Sequence, residues 1–225
     1  MKVIDPFYEI INMPEADYTL KHIERAARTC YKSEDKISDE SAEKLLKALN
    51  KGAHHSVFEH ISVSVMIVCD RGITHEIVRH RLCSFSQEST RYANYSKEKF
   101  GNEITVIRPF FWNRDSDKYK AWYNLMLEAE KSYLKLLDMG ATPQEARSVL
   151  PNSLKTEIIV TANLREWKHI FTLRCSKASH PQIRQIMLPL LNDFTKTLPV
   201  YYTDLYDMFK NDIESFSKIN MSMDE

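Results

Sequence analysis

The sequence predicts a mixed α/β protein, on three observations. Ile61-Ser62-Val63-Ser64-Val65-Met66-Ile67 alternates with period two, the mark of a half-buried strand. Ser116 to Met139 carries Trp122, Leu125, Met126, Ala129, Tyr133, Leu136 and Leu137 as one apolar stripe, so a long amphipathic helix accompanies the strand. At 225 residues the chain can bury a full core and fits one domain, or at most two small ones. No repeat, low-complexity run or linker divides it.

In chain order, residues 2–12 read as a short strand or extended segment, and about Tyr18 to Thr29 as a helix. Ser38-Asp39-Glu40-Ser41 reads as a capping box opening a helix that turns Leu45, Leu46 and Leu49 inward and stops at Gly52. After the 61–67 strand, Asp70-Arg71-Gly72 turns the chain into a helix of roughly 73–82. Its wheel puts His75, Glu76, Arg79 and His80 on one side, with Ile73, Ile77, Val78 and Leu82 over much of the other. Arg81 falls in the apolar arc, and a buried arginine is costly unless an anionic ligand or an internal carboxylate pairs it.

Ile104-Thr105-Val106-Ile107 is a further short strand, and Gly140 ends the long helix. Thr142, Pro143 and Glu145 supply an N-cap, a first-turn proline and a capping glutamate for a short helix that carries Arg147 and stops before Pro151. Leu154 to Ala162 reads as a strand. Asn163-Leu164-Arg165-Glu166 caps another helix, where Trp167, Ile170, Phe171 and Arg174 share the apolar face. Arg174 there either complements the helix dipole and snorkels outward or meets a ligand. Pro181 to Ser217 reads as helical with a break at Leu198-Pro199, and the last residues are expected to fray.

Composition excludes several function classes. Lys+Arg 31 balances Asp+Glu 31, so the basic excess of a general nucleic-acid binder is missing. The N-terminus has no signal-peptide run and nothing approaches a membrane span, so a cytoplasmic protein is expected. Cys30, Cys69, Cys83 and Cys175 form no Cys-x-x-Cys pair. The four glycines, Gly52, Gly72, Gly101 and Gly140, lie far apart, which removes every glycine-rich phosphate loop. Any bound nucleotide must then be held by arginines and helix N-termini.

Such arginines are concentrated in one stretch, Arg79-His80-Arg81-Leu82-Cys83-Ser84-Phe85-Ser86-Gln87-Glu88-Ser89-Thr90-Arg91-Tyr92. Guanidinium forks and hydroxyls make this an anion-binding composition. No metal site is expected. His55 and Glu59 share a helix face without a third ligand at fixed spacing, and His75 and His80 miss the zinc-protease spacing by one residue.

Arg79-His80-Arg81, seven residues, then Ser89 resembles the signature of the flavin-dependent thymidylate synthases. The likeness extends over nearly the whole chain. It takes in His54, Ser56 and Glu59-His60, then Glu145-Ala146-Arg147 with Leu150-Pro151, then Asn163-Leu164-Arg165, His169 and Leu173-Arg174. The resemblance implies a single α+β domain, 1–225, with a central mostly antiparallel sheet flanked by long helices. It implies a homotetramer whose active sites form where subunits meet. The implied reaction is reductive methylation of dUMP to dTMP, with methylenetetrahydrofolate as carbon donor, FAD as hydride carrier and NADPH as reductant.

By the same resemblance, Ser56, Arg79, His80, Arg81, Gln87, Asn163, Arg165 and His169 contact FAD. Glu76, Arg79, Gln87, Glu88, Ser89, Thr90, Arg91, Arg147 and Arg174 contact dUMP, and Arg174 is catalytic. Many relatives carry glutamine where this chain has Glu76. A carboxylate repels phosphate, so a contact there falls to a sugar hydroxyl or runs through water. Two other readings stand beside this one. Cys83 or Cys175 would add to uracil in a cysteine-dependent synthase, with the neighbouring arginines lowering the Cys83 pKa. A regulatory domain would bind nucleotide or flavin without turnover.

Overall fold

The computed structural model describes residues 1–221; the expected fraying of the last residues falls on 222–225, outside them. Two sheets form. Lys2–Ile4 (β1) pairs in parallel with Thr105–Ile107 (β5), in the register Lys2 with Thr105, Val3 with Val106 and Ile4 with Ile107. The second sheet has the order β2-β3-β6-β4, from Phe7–Asn12 (β2), Ser62–Asp70 (β3), Lys155–Asn163 (β6) and Ser84–Gln87 (β4). Leu164 N–H donates to the Ile61 carbonyl and Arg71 N–H to the Leu154 carbonyl, each at 3.0 Å. Pairing that matches the start of β3 to the end of β6 is antiparallel.

The helices are Ala16–Tyr31 (α1), Ser41–Lys51 (α2), Arg71–Ile77 (α3), Asp117–Asp138 (α4), Pro143–Ala146 (α5), Leu164–Arg174 (α6), Pro181–Thr197 (α7) and Pro199–Met221 (α8). The chain divides into two compact units, and β3 and β6 each pass from one into the other. The first comprises Met1–Phe7, Ile67–Arg79 and Phe85–Ile159. Its core gathers Tyr95, Ile104, Val106, Met126, Tyr133, Ala146 and Leu154. Trp122 of α4 packs at its margin and donates its indole N–H to Ser153 Oγ at 3.0 Å. The second comprises Tyr8–Met66, His80–Ser84 and the described residues from Val160 on. Its core is aromatic: Trp167, Phe171, Phe194 and Tyr202 meet as neighbouring rings 5.1–5.9 Å apart. Trp167 donates to the Val63 carbonyl and the Tyr202 hydroxyl to that of Leu164, both at 3.0 Å, so the buried polar tips are satisfied.

Three expectations need correction. The helix expected over 73–82 stops at Ile77, where Val78 and Arg79 N–H close back on Thr74 and Glu76 carbonyls. Arg81 is therefore exposed on no apolar helix face and needs no buried counter-ion. The next residues form the unforeseen strand β4, anchored where Glu88 N–H meets the Glu157 carbonyl at 2.9 Å. Strand pairing is a tertiary effect and overrides a weak local helical pattern. Leu125, placed on the apolar stripe of α4, is 64% exposed. Finally, α2 begins at Ser41 behind an N-cap Glu40 that makes no side-chain cap. The Ser41 hydroxyl instead reaches the buried Glu24 carboxylate at 2.8 Å.

Candidate active site

In the first unit the arginine- and hydroxyl-rich stretch continues from β4 into a tight turn. Ser89 carbonyl accepts from Tyr92 N–H and Ala93 N–H at 3.1 and 2.9 Å, and its hydroxyl from Arg91 N–H at 3.3 Å. Thr90 is buried and accepts from Arg147 Nη1 at 3.4 Å, so the turn after α5 meets the turn after β4. The capping box expected at α5 is formed: Glu145 takes Thr142 N–H and hydroxyl at 2.7 and 2.6 Å. Arg79, Arg91 and Arg147 expose their side chains, and the Arg91 guanidinium lies 5.5 Å from the Tyr92 ring centre. Glu76 is half-buried on α3, whose N-terminus is capped by Asp70 accepting from Ile73 N–H at 2.9 Å.

Two of the implied contacts are held from behind. Gln87 Nε2 donates to Thr74 and Thr156 hydroxyls at 3.0 and 3.2 Å. Glu88 has its amide on Glu157, its carbonyl on Arg71 Nη1 at 3.2 Å, and its carboxylate on the Tyr95 hydroxyl and Lys155 Nζ. Its polar groups thus tie the turn to β6 and to the core. Arg71, Thr74, Tyr95, Lys155 and Thr156 escaped the sequence reading, because no local pattern marks a residue that supports a loop across a sheet.

In the second unit Asn163 caps α6 by accepting from Glu166 N–H at 2.9 Å. That cap presents Arg165, Glu166 and His169 on the first two turns. Arg165 pairs with Glu59 at 2.5 Å, and with Leu82, Asn163, Glu166 and His169 these residues line a cavity of about 520 Å³. Ser56 is exposed in the turn His55–His60. His80 is only 4% exposed, and its ring lies edge-on to His169 at 5.7 Å. Its Nε2 accepts from Arg174 Nε at 3.0 Å, and its Nδ1 stands 3.6 Å from Glu166 Oε1. Burial, then the Arg174 charge and His169, hold the His80 imidazole down to about 4, so it is neutral at pH 7. Burial raises the Glu166 carboxyl.

Among the described residues, His80, Glu166 and His169 bring metal-type donor atoms within 4.8 Å of one another, a trio the sequence spacings did not suggest. The Arg174 guanidinium occupies the His80 Nε2 lone pair, which opposes a cation there. Cys83 departs from expectation. Burial and then Glu166 push its thiol up to about 12, the reverse of the depression its arginine neighbours implied. Burial also raises Cys175. Neither is a poised nucleophile.

Exposed guanidiniums beside the Ser89 and Thr90 hydroxyls on a glycine-free turn, and a cavity edged by amide, guanidinium and imidazole, mark an α+β protein whose side chains offer donors suited to anionic groups. A family model described as thymidylate synthase complementing protein matches residues 13–200, and the chain belongs to that family. The flavin-dependent thymidylate synthase of Pyrococcus furiosus is 35% identical over 163 residues, covering 72% of this chain and 66% of that protein. That of Geobacter sulfurreducens is 32% identical over 198 residues, covering 85% and 82%. The chain thus spans about two thirds of the length of the Pyrococcus relatives it matches. Among solved structures, the UMP/dUMP methylase PolB from Streptomyces cacaoi bound with 5-Br dUMP superposes with a TM-score of 0.75. It is 23% identical and covers 93% of this chain and 98% of its own, a likeness of fold. No helix among the described residues is long and apolar enough to cross a membrane.

Proposed function

We propose that this protein makes dTMP by reductive methylation of dUMP, drawing the carbon from methylenetetrahydrofolate and reducing power from NADPH through FAD. The observation that carries the reading is Arg174. It lies at the end of α6, half-buried, with its Nε held on a neutral imidazole. Activating uracil at C5 builds negative charge on the ring. Arginine cannot serve as a base at neutral pH, so Arg174 acts as a fixed positive partner to that charge. Ser89, Thr90, Arg91 and Arg147 supply hydroxyl and guanidinium donors suited to the nucleotide phosphate, while Gln87, braced by Thr74 and Thr156, suits a polar ring edge. The Glu76 carboxylate repels phosphate, so its contact falls to a sugar hydroxyl or runs through water.

The donor set of the second unit fits FAD. Asn163, Arg165 and His169 line its cavity of about 520 Å³, and Ser56, His80 and Arg81 belong to the same unit. The resemblance adds Arg79 and Gln87 to the set. FAD, when bound, supplies the hydride that completes the methyl group. The chain is read as one synthase domain acting as a homotetramer.

The test is an assay of the purified protein with dUMP, methylenetetrahydrofolate, FAD and NADPH, omitting one component at a time. dTMP should form only in the complete mixture. Flavin binding without dTMP would instead favour a non-catalytic binding domain.

A further inference from the structure

Glu166 carries no assigned part in the chemistry, yet it is 7% exposed and stands on the first turn of the helix that ends in Arg174. Its Oε1 lies 3.6 Å from His80 Nδ1, and His80 Nε2 accepts from Arg174 Nε at 3.0 Å. An imidazole accepting at Nε2 must carry its proton on Nδ1, where the carboxylate faces it. The opposite tautomer would set two N–H donors against each other, Nε2–H against the Arg174 N–H. It would also leave a bare lone pair beside a carboxylate oxygen.

We propose that Glu166 is a positioning residue: its carboxylate holds His80 in the Nδ1–H tautomer, and His80 in turn holds the plane of the Arg174 guanidinium. This inference rests on Arg174 being the catalytic group of the proposed reaction. Guanidinium can turn about its last side-chain bonds, and a small misplacement of a charge-stabilising group is costly in rate. Anchoring Nε leaves the remaining N–H groups in one plane. His80 thus stands between the two, with its Nε2 lone pair taken by Arg174 and its Nδ1 turned to the Glu166 carboxylate.

The experiment uses the full chain labelled with [15N]histidine, with the His80 signals assigned by their loss in His80→Gln. The wild-type ring should be neutral with its proton on Nδ1; a proton on Nε2 would overturn the proposal whatever the variants do. In Glu166→Gln, with far-UV circular dichroism unchanged, the Nε2–H tautomer should grow. The turnover number should fall by about ten- to a hundredfold while the KM for dUMP moves by less than about twofold. In an Arg174→Lys background the same substitution should cost nothing further, because the chain of contacts is already cut. Fully additive losses, or an unchanged tautomer and unchanged turnover in Glu166→Gln, would overturn the link. So would Co2+ alone broadening the His80 signals at stoichiometric amounts. A tautomer shift in a protein that makes no dTMP would keep the link and sink the proposed reaction.

Discussion

Arg174 and His80 form the pair on which the reading of this protein turns, and each makes a separate claim. Arg174 offers a rigid fork of donors, of which Nε is spent on His80. Replacing it by lysine keeps the charge but leaves one ammonium to serve both the imidazole and the substrate. Arg174→Lys should therefore lose about 2 kcal/mol or more of transition-state stabilisation, roughly thirtyfold in kcat/KM, while far-UV circular dichroism stays unchanged. Near-normal turnover would show that a point charge suffices. His80 bears on stability. Its pKa falls from 6.5 in the open chain to about 4 when folded, so between those values the unfolded state binds more protons. Its contribution is complete above the higher value and is lost as pH falls through the lower, on the order of 3 kcal/mol in all. Urea unfolding near neutrality and at about pH 5 should show the loss, and His80→Gln should reduce the pH dependence.

At the scale of elements, α6 and its cap carry Asn163, Arg165 and His169 of the residues proposed for the flavin, and its start was readable in advance. Asn163 followed three residues later by Glu166 is a capping pattern with a physical cause, and the cap forms as expected. Asn163→Ala should lower stability by about 1 kcal/mol, visible as a lower unfolding midpoint without any ligand, and Asn163→Asp should retain most of it. The caps at Thr142 and Gly140 were equally legible, since proline, glycine and short hydroxyl side chains act within one turn. The signature stretch was not. Its first residues carry a plausible helical wheel, yet α3 ends at Ile77 and the chain turns into β4 beside β6. The partners that settle this, such as Glu157 for Glu88 and Thr156 for Gln87, lie about seventy residues away and leave no mark on the local pattern.

For the molecule as a whole, the folate product separates two ways of making the same nucleotide. In a cysteine-dependent reaction the folate yields both carbon and hydride and leaves as dihydrofolate. With a flavin hydride, the folate yields only its methylene and leaves as tetrahydrofolate. Chromatography of the folates after turnover should find tetrahydrofolate, with no dTMP when NADPH is omitted and no reduced flavin supplied. One dihydrofolate per dTMP, formed without NADPH, would mean that the carbon is reduced by another route. The raised Cys83 and Cys175 thiols point the same way, and Cys83→Ala should remain active. By itself the sequence determined the mixed α and β class, most helix ends, the need for arginines in place of a glycine cradle, and the likeness on Arg79, His80, Arg81 and Ser89. Those follow from periodicity, capping chemistry and composition, which act over a few residues. Only the tertiary structure decided that Arg81 is exposed while His80 is buried, that Cys83 is raised and not lowered, and that Glu166, His80 and Arg174 stand in line. Burial and charge at a site are set by residues distant in sequence, and a local pattern holds no record of them.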